Sequence, residues 1–208
     1  MNVVLYGASG MIGSRILQEL VRRGHQVTAV VRNPEKVTEA AVKVVKGDVT
    51  DAASVAATAQ GVEAAISAYA PPHTEVQTLL TAMQSLLAGL ATAGVQRLIV
   101  VGGAGSLEVA PGVQLVDTPQ FPEAWKGIAL AHRDVLPILK ASSLEWSYLS
   151  PAAFIQPGER TGRFRLGGTQ LVTDAKGESR ISAEDFAVAL VDELEGSKHL
   201  RRQFTAAY

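Results

Sequence analysis

The stretch Gly7-Ala8-Ser9-Gly10-Met11-Ile12-Gly13 decides how the rest of this chain is interpreted. The apolar run at residues 3–6 predicts a buried strand before it, and the apolar spacing at residues 16–21 predicts a helix after it. A glycine turn between a strand and a helix lets the main chain approach an anion closely. The free N–H groups and the positive dipole end of the helix then face that anion. The stretch therefore predicts a phosphate-binding turn.

Length and composition limit the classes of function. The chain has 208 residues, 47% of them hydrophobic, so we expect residues 1–208 to form one domain with a substantial core. Its formal net charge of −1 gives no general attraction to nucleic acid or to an anionic membrane surface. The chain has no cysteine, which excludes disulfides and thiol catalysis. Because the N-terminus also lacks a signal-peptide pattern, we expect a cytoplasmic location.

Apolar runs and helical patterns alternate as far as Ser150. Six runs predict strands, at residues 3–6, 26–31, 42–45, 64–67, 98–101 and 146–149. This alternation predicts an α/β fold, a doubly wound Rossmann-type parallel sheet with strand order 3-2-1-4-5-6. The uncharged segment 76–96 is interrupted by polar residues, which favours a helix packed on the sheet over a membrane span.

The pattern changes after Pro151 and predicts a small C-terminal appendage. Residues 164–166 and 171–172, joined by two glycines, predict a hairpin. Ser182 opens a capping-box pattern that predicts a last helix to about Glu195, and residues 200–206 predict a final strand.

The ends of the predicted strands supply further candidate residues, because ligands in such sheets bind outside the carboxyl ends of the strands. Arg32, beside Asn33, ends the second strand, where an NAD site would place Asp or Glu. A guanidinium there suits the 2′-phosphate of NADP, although a solvated arginine is the alternative.

The ends of the predicted third and fourth strands carry further candidate residues for cofactor binding. Asp48 can accept a hydrogen bond from the adenine amino group while Val49 packs on the ring, although Gly-Asp is equally typical of a plain turn. The pyrophosphate and nicotinamide ribose would pass Ser67, Ala68 and Tyr69.

Several of these motifs together resemble the atypical short-chain dehydrogenase/reductases. They are the glycine turn and the segments Arg32-Asn33-Pro34, Gly47-Asp48-Val49, 101–107 and 149–153. Within that group the chain is similar to the NAD(P)H-binding, NmrA-like proteins described as NADH-flavin reductases, and more distantly to the biliverdin-IXβ/flavin reductases. The spacing Gly-x-x-Gly-x-x-Gly differs from the more general Gly-x-Gly-x-x-Gly pattern.

The resemblance implies a cofactor and a kind of acceptor. NADP(H), preferred over NAD(H), would lie along the strand ends, with a flat acceptor such as FMN, FAD, a quinone or a tetrapyrrole stacked on its nicotinamide. Arg32 would hold the 2′-phosphate. Pro151, Ala152 and Phe154 would border the nicotinamide, and Ser9 is a second candidate contact to the 2′-phosphate. The other cofactor-binding residues are Gly7, Gly10, Met11, Ile12 and Gly13 of the turn and Gly102 and Gly103 after the fifth strand.

The Tyr-x-x-x-Lys pair that is typical of the broader superfamily is missing from this sequence. The matching region carries Trp125-Lys126, and an indole cannot act as a general acid near neutral pH. Reduction of a conjugated ring needs mainly positioning, since its proton can come from solvent. Ser106, Lys126 and His132 are the polar catalytic candidates, and each also has a purely structural interpretation.

Two functions remain open at this stage. One is an NADPH-dependent reductase of a conjugated acceptor, and the other is a non-catalytic NADP(H)-sensing regulator. Either would act as a monomer or a homodimer. The scattered histidines have no metal-ligand spacing. Arg160, Arg163 and Arg165 could form a lip over the site or a solvated hairpin.

Overall fold

The computed structural model describes residues 1–40 and 42–208. Its α-helices are α1 (Met11–Arg22), α2 (Ala52–Thr58), α3 (Thr78–Ala93), α4 (Glu123–Ala141) and α5 (Ala183–Gly196). Its strands are β1 (Asn2–Tyr6), β2 (Gln26–Val31), β3 (Lys43–Lys46), β4 (Ala64–Ser67), β5 (Arg97–Val101), β6 (Glu108–Ala110), β7 (Val113–Gln114), β8 (Glu145–Ser150), β9 (Phe154–Gln156), β10 (Arg165–Gly167), β11 (Arg180–Ser182) and β12 (Arg202–Ala207).

The main sheet has eight strands in the order β10-β12-β8-β5-β4-β1-β2-β3. The strands from β3 to β8 in this order are all parallel, which confirms the predicted doubly wound order. The C-terminal strand β12 adds to β8 in parallel, and β10 closes that edge in antiparallel. The appendage therefore extends the sheet by two strands.

Helices cover both faces of this sheet because its inner strands are buried on both sides. Along β1, Val3 and Leu5 face a core formed with α1 and α5, whereas Val4 and Tyr6 face a core formed with α2, α3 and α4. Alternate side chains of one strand point to opposite faces, so β1 contributes to both cores.

Helix ends follow the sequence signals closely. The side chain of Asp51 accepts hydrogen bonds from the second and third main-chain N–H groups of α2, and Ser182 Oγ accepts one from the third main-chain N–H group of α5. Gly94, at φ +75°, ends α3 in the left-handed conformation that glycine adopts without strain. Among the described residues, none of the helices combines the length and apolar character needed to cross a membrane.

The predicted hairpin between residues 164–166 and 171–172 is wrong. Leu166 in β10 pairs with Ala206 of β12, and the Leu171 N–H donates to the main-chain oxygen of Glu108. The final strand β12 offers β10 a longer unpaired edge than residues 171–172 could. Two short pairs were not foreseen: the antiparallel pair of β6 with β7, and the parallel pair of β9 with β11.

A buried ion pair joins the sheet to the last helix. Arg97 Nη2 lies 2.9 Å from Glu193 Oε1, and Ser147 donates to the same oxygen at 2.7 Å. His199 Nδ1 lies 2.8 Å from Glu193 Oε2. Burial alone would raise the pKa of Glu193, but these hydrogen bonds and the Arg97 charge lower it overall. The carboxylate is therefore ionised at neutral pH.

Replacing Glu193 by Gln should destabilise the protein by about 3 kcal/mol, since it leaves the buried Arg97 charge uncompensated. Glu195→Gln, two residues further along, is the matched control. The side chain of Glu195 is 41% exposed, so its ion pairs with Arg23 and His25 are screened by solvent and a loss of about 1 kcal/mol or less is expected. The free energy of unfolding in urea, followed by circular dichroism, measures both. Equal losses would contradict this account of the pair.

Candidate functional site

The glycine turn after β1 is shaped by two close main-chain approaches. Gly7 has φ +83°, and a β-carbon placed there would lie 2.5 Å from the main-chain oxygen of Ala68. A β-carbon on Gly13 would lie 2.0 Å from the main-chain oxygen of Gly7. The Gly10 N–H donates to that Gly7 oxygen at 3.1 Å and closes the turn. A side chain at position 7 or 13 would thus collide with backbone and displace the start of α1.

The N-terminus of α1 is open to an anion. Gly10 is its capping residue, no side chain of the described chain bonds to its first N–H groups, and its first turn carries no acidic residue. By contrast, α2 and α5 use Asp51 and Ser182 for this purpose. Ser9 and Gly10 are exposed beside these free donors. Free N–H groups and a positive dipole end favour a bound phosphate here.

A cleft of about 550 Å³ runs along the carboxyl ends of β1 to β5, starting at this turn. It brings together twelve of the residues expected from the sequence: Gly7, Ser9, Gly10, Met11, Ile12, Arg32, Asp48, Val49, Ala68, Tyr69, Gly102 and His132. Its lining also includes Tyr6, Val30, Val31, Gly47, Thr50, Ala70, Glu75, Thr78, Val101 and Trp125. Both its size and its position are typical of ligand sites in such sheets.

One end of the cleft carries a cation and a fixed carboxylate. Arg32 lies exposed just after β2. Asp48 Oδ1 accepts hydrogen bonds from Thr50 Oγ1 at 2.7 Å and from the Thr50 N–H at 2.9 Å. These two bonds, with a smaller contribution from the Arg32 charge, lower the pKa of Asp48. Asp48 is thus ionised and held in place by its own turn.

His132 lies at the other end, on α4. Burial lowers the pKa of His132 to about 4, so its imidazole is neutral at pH 7. Its Nδ1 is shielded and has no hydrogen-bond partner among the described residues. A neutral imidazole can donate one hydrogen bond and accept another, but it is not an effective acid at neutral pH.

Tyr148, on β8, holds the His132 end of the cleft in place. Its hydroxyl donates to the main-chain oxygen of His132 at 2.8 Å and accepts from the Gly103 N–H at 3.2 Å. A β-carbon on Gly102 would lie 2.2 Å from the tyrosine ring. Burial raises the pKa of Tyr148, so the phenol stays protonated and joins the end of β5 to α4.

Other expected cofactor residues lie behind or beside the cleft. Gly13 packs against the main chain of Gly7, and Gly103 packs against the side chain of His132. Ser67 is buried in β4, and Pro151 and Ala152 are buried after β8. The structure does not bring the remaining two residues to the lining: Asn33 is exposed before a short 3-10 turn, and Phe154 is 62% exposed on β9.

The structure does not bring Ser106 and Lys126 to the cleft either. Ser106 is buried, where its hydroxyl donates to the Gly103 oxygen at 3.3 Å and accepts from Gln203 at 2.9 Å. Lys126 is solvent-exposed, and its Nζ lies 3.9 Å from a Glu123 carboxylate oxygen. Neither side chain lines the cleft.

Arg160 and Arg165 do not form the lip over the site that was one of the two alternatives for this segment. Arg160 makes two hydrogen bonds to Glu19 of α1, at 2.8 and 2.9 Å. Arg165 donates to the main-chain oxygen of Thr173 at 2.7 Å. Neither arginine lines the cleft, because each binds an acceptor elsewhere on the protein.

Two of the lining residues that the sequence did not single out, Trp125 and Glu75, bear directly on the chemistry of the site. Trp125, in the first turn of α4, is 56% exposed and meets the ring of His73 edge to face at 4.8 Å. Glu75 lies in the short 3-10 turn that carries His73. The available signal was an indole among polar neighbours at a helix start, which is unusual for a core aromatic.

These residues fit a nicotinamide dinucleotide. The cradle at Gly7, the open N-terminus of α1 and the Arg32 cation suit its phosphates. His132 lines the opposite end as a neutral residue, and its Nδ1 has no hydrogen-bond partner among the described residues.

The comparisons with known proteins agree with this geometry. Residues 7–196 match the model of a family described as NAD(P)H-binding. YwnB of Bacillus subtilis is 39% identical over 209 residues, which cover 99% of this chain and 97% of that protein. The chain therefore belongs to the NAD(P)H-binding family, which confirms the resemblance to atypical short-chain dehydrogenase/reductases.

Solved structures from three bacteria are similar over the whole chain. A protein of Burkholderia pseudomallei described as a "putative exported protein" has a TM-score of 0.93 at 51% identity, covering 100% of both chains. A "putative epimerase" of Bacteroides thetaiotaomicron has a TM-score of 0.93 at 41% identity, covering 100% of this chain and 96% of that one. A "putative NADH-flavin reductase" of Streptococcus pneumoniae has a TM-score of 0.91 at 35% identity, covering 100% and 99%.

The depressed pKa of His132 predicts a loss of stability in mild acid. An unfolded histidine binds a proton below about pH 6.5, whereas the folded one does so only near pH 4. Stability should therefore fall as pH drops through this interval, by on the order of 2–3 kcal/mol. His132→Gln should show a shallower fall in urea unfolding measured from pH 7 to pH 4. A wild-type and variant pair with parallel pH profiles would contradict the assignment.

Proposed function

We propose that this member of the NAD(P)H-binding family is an NADPH-dependent oxidoreductase that reduces a flat, conjugated acceptor such as a flavin or quinone. The observation that carries the proposal is one continuous cleft. It begins at the anion-binding turn and Arg32, and it ends at Trp125 and the neutral His132. Bound NADPH would supply the hydride, and the protein supplies binding, orientation and access to solvent.

At the phosphate-binding end, groups on both sides of the cleft would bind the cofactor. The first N–H groups of α1 would bind the pyrophosphate, and Arg32 would pair with the 2′-phosphate. Asp48, already fixed by Thr50, would accept from the adenine amino group, with Val49 against the ring. Arg32 supports NADP(H) over NAD(H), because the NAD-type carboxylate at the end of β2 is replaced by a cation.

At the opposite end of the cleft, the protein would orient the reactants and would not supply the proton. His132 is neutral at pH 7, so it would hold a carbonyl or amide by one hydrogen bond and would not donate a proton as an imidazolium. The acceptor would take its proton from water at the open cleft. Flavins and quinones suit such a site, since their reduction depends mainly on the relative position of two rings.

A second candidate is a non-catalytic sensor of the NADPH/NADP⁺ ratio. The observation that favours it is that Ser106 and Lys126, two of the three catalytic candidates, lie away from the cleft. The same observation disfavours an epimerase, which must remove and return a proton at its substrate. A sensor must bind the reduced and oxidised cofactor with different affinity, because equal affinity shifts no population.

A cytoplasmic location is part of this proposal, because NADPH is maintained there. The similar protein of Burkholderia pseudomallei is described as exported, so cell fractionation is the direct test.

Arg32→Ala should raise the KM for NADPH by roughly 10- to 100-fold. This factor corresponds to the loss of a hydrogen bond to a charged group, which contributes about 1.5–3 kcal/mol. The KM for NADH should stay within about twofold, since NADH lacks the 2′-phosphate. Oxidation of each cofactor, followed at the nicotinamide absorbance with riboflavin or menadione as acceptor, gives these constants. Arg180→Ala, an exposed arginine outside the cleft, is the matched control.

These kinetic constants distinguish the reductase from the sensor. Equal losses for both cofactors, or a wild-type preference for NADH, would contradict the role of Arg32. Tight NADPH binding without oxidation by any acceptor would contradict the reductase and favour the sensor.

A further inference from the structure

The two ends of the cleft differ in their charges. Arg32 and Asp48 follow β2 and β3, on one side of the glycine turn in the sheet. Val101 and Gly102 end β5 on the other side, where α4 contributes His132 and Trp125. Because phosphates would occupy the first side, an acceptor would enter at the second.

Trp125 has the exposure and position of a ligand-binding aromatic residue. Its indole is 56% exposed although it lines the cleft, and it lies edge to face with the His73 ring, the two ring centroids being 4.8 Å apart. A core tryptophan behaves differently in this chain, since Trp146 is only 1% exposed. An indole face left open to a cleft favours a flat conjugated ring, which stacks on it with offset geometry.

The charge at this end excludes one class of acceptor. Glu75 lines the cleft on the same short turn as His73. None of the lining residues that the structure describes at this end is Lys or Arg, and His132 is neutral at pH 7. Lys126 lies outside the lining, beside Glu123. A phosphate brought here would meet a carboxylate without a compensating cation.

We propose, resting on the proposed function, that Trp125 is the stacking surface for the acceptor and that Glu75 selects uncharged flat acceptors over phosphorylated ones. Riboflavin and simple quinones are the favoured class, and FMN and FAD are disfavoured. The acceptor gains two electrons and one proton as hydride, with a second proton from solvent. The products are the reduced acceptor and NADP⁺.

Binding can be measured without turnover in the NADP⁺-loaded protein. Riboflavin should quench tryptophan fluorescence, after inner-filter correction, and FMN should do so at higher concentration. The chain has two tryptophans, so Trp125→Phe leaves only the buried Trp146. That variant should lose most of the quenching while keeping an aromatic surface.

Kinetics with NADPH then test both residues. Trp125→Ala should lower kcat/KM for riboflavin by about tenfold, and Trp125→Phe by less than about threefold. Wild type should use FMN about fivefold less well than riboflavin at low ionic strength, with the difference shrinking in about 0.5 M salt. Glu75→Gln should narrow this ratio to about twofold or less. Glu178→Gln, which removes an exposed carboxylate outside the cleft, should leave it unchanged.

The failures are distinguishable. If wild type reduces FMN as well as riboflavin, or if Trp125→Ala keeps the wild-type kcat/KM, this inference is overturned and the reductase function stands. If wild type binds NADPH but reduces neither flavin and does not reduce menadione either, the proposed function falls and the inference falls with it.

Discussion

The close packing of main chain on main chain at the glycine turn is the constraint on which the rest of this structure depends. Gly7 meets the end of β4 and Gly13 meets Gly7, at distances that leave no room for a side chain. This contact sets where α1 begins relative to β1 and leaves its first N–H groups facing open space. One steric condition therefore fixes both the strand–helix unit and the anion site.

The sheet order converts that local site into an extended cleft. Since β1 lies between β2 and β4, residues after β2 and β3 fall on one side of the turn and residues after β5 fall on the other. Arg32 and Trp125, which are 93 positions apart in the sequence, thus line the same cleft. The buried pair of Arg97 and Glu193 holds the last helix to the far side of the sheet, away from this opening.

Much of this was predictable because strong local signals agreed with the tertiary structure. The bounds of β2 and β4 coincide with the short apolar runs at residues 26–31 and 64–67, and Gly94 ends α3 as a left-handed residue. The pairing of β10 with β12 could not be predicted, because a three-residue strand carries no information about a partner 40 positions away. Side-chain direction was equally inaccessible. Ser106 and Trp125 both follow β5 in sequence, yet the first points into the protein and the second borders the cleft.

The measurement that tests the central claim most directly is a crystal structure of the protein grown with NADP⁺. The account predicts the pyrophosphate on the N–H groups of Met11 and Ile12, the 2′-phosphate beside Arg32, and the nicotinamide at the His132 end with the Trp125 face open above it. A cofactor bound in the reverse direction would contradict the account, as would one bound outside this cleft.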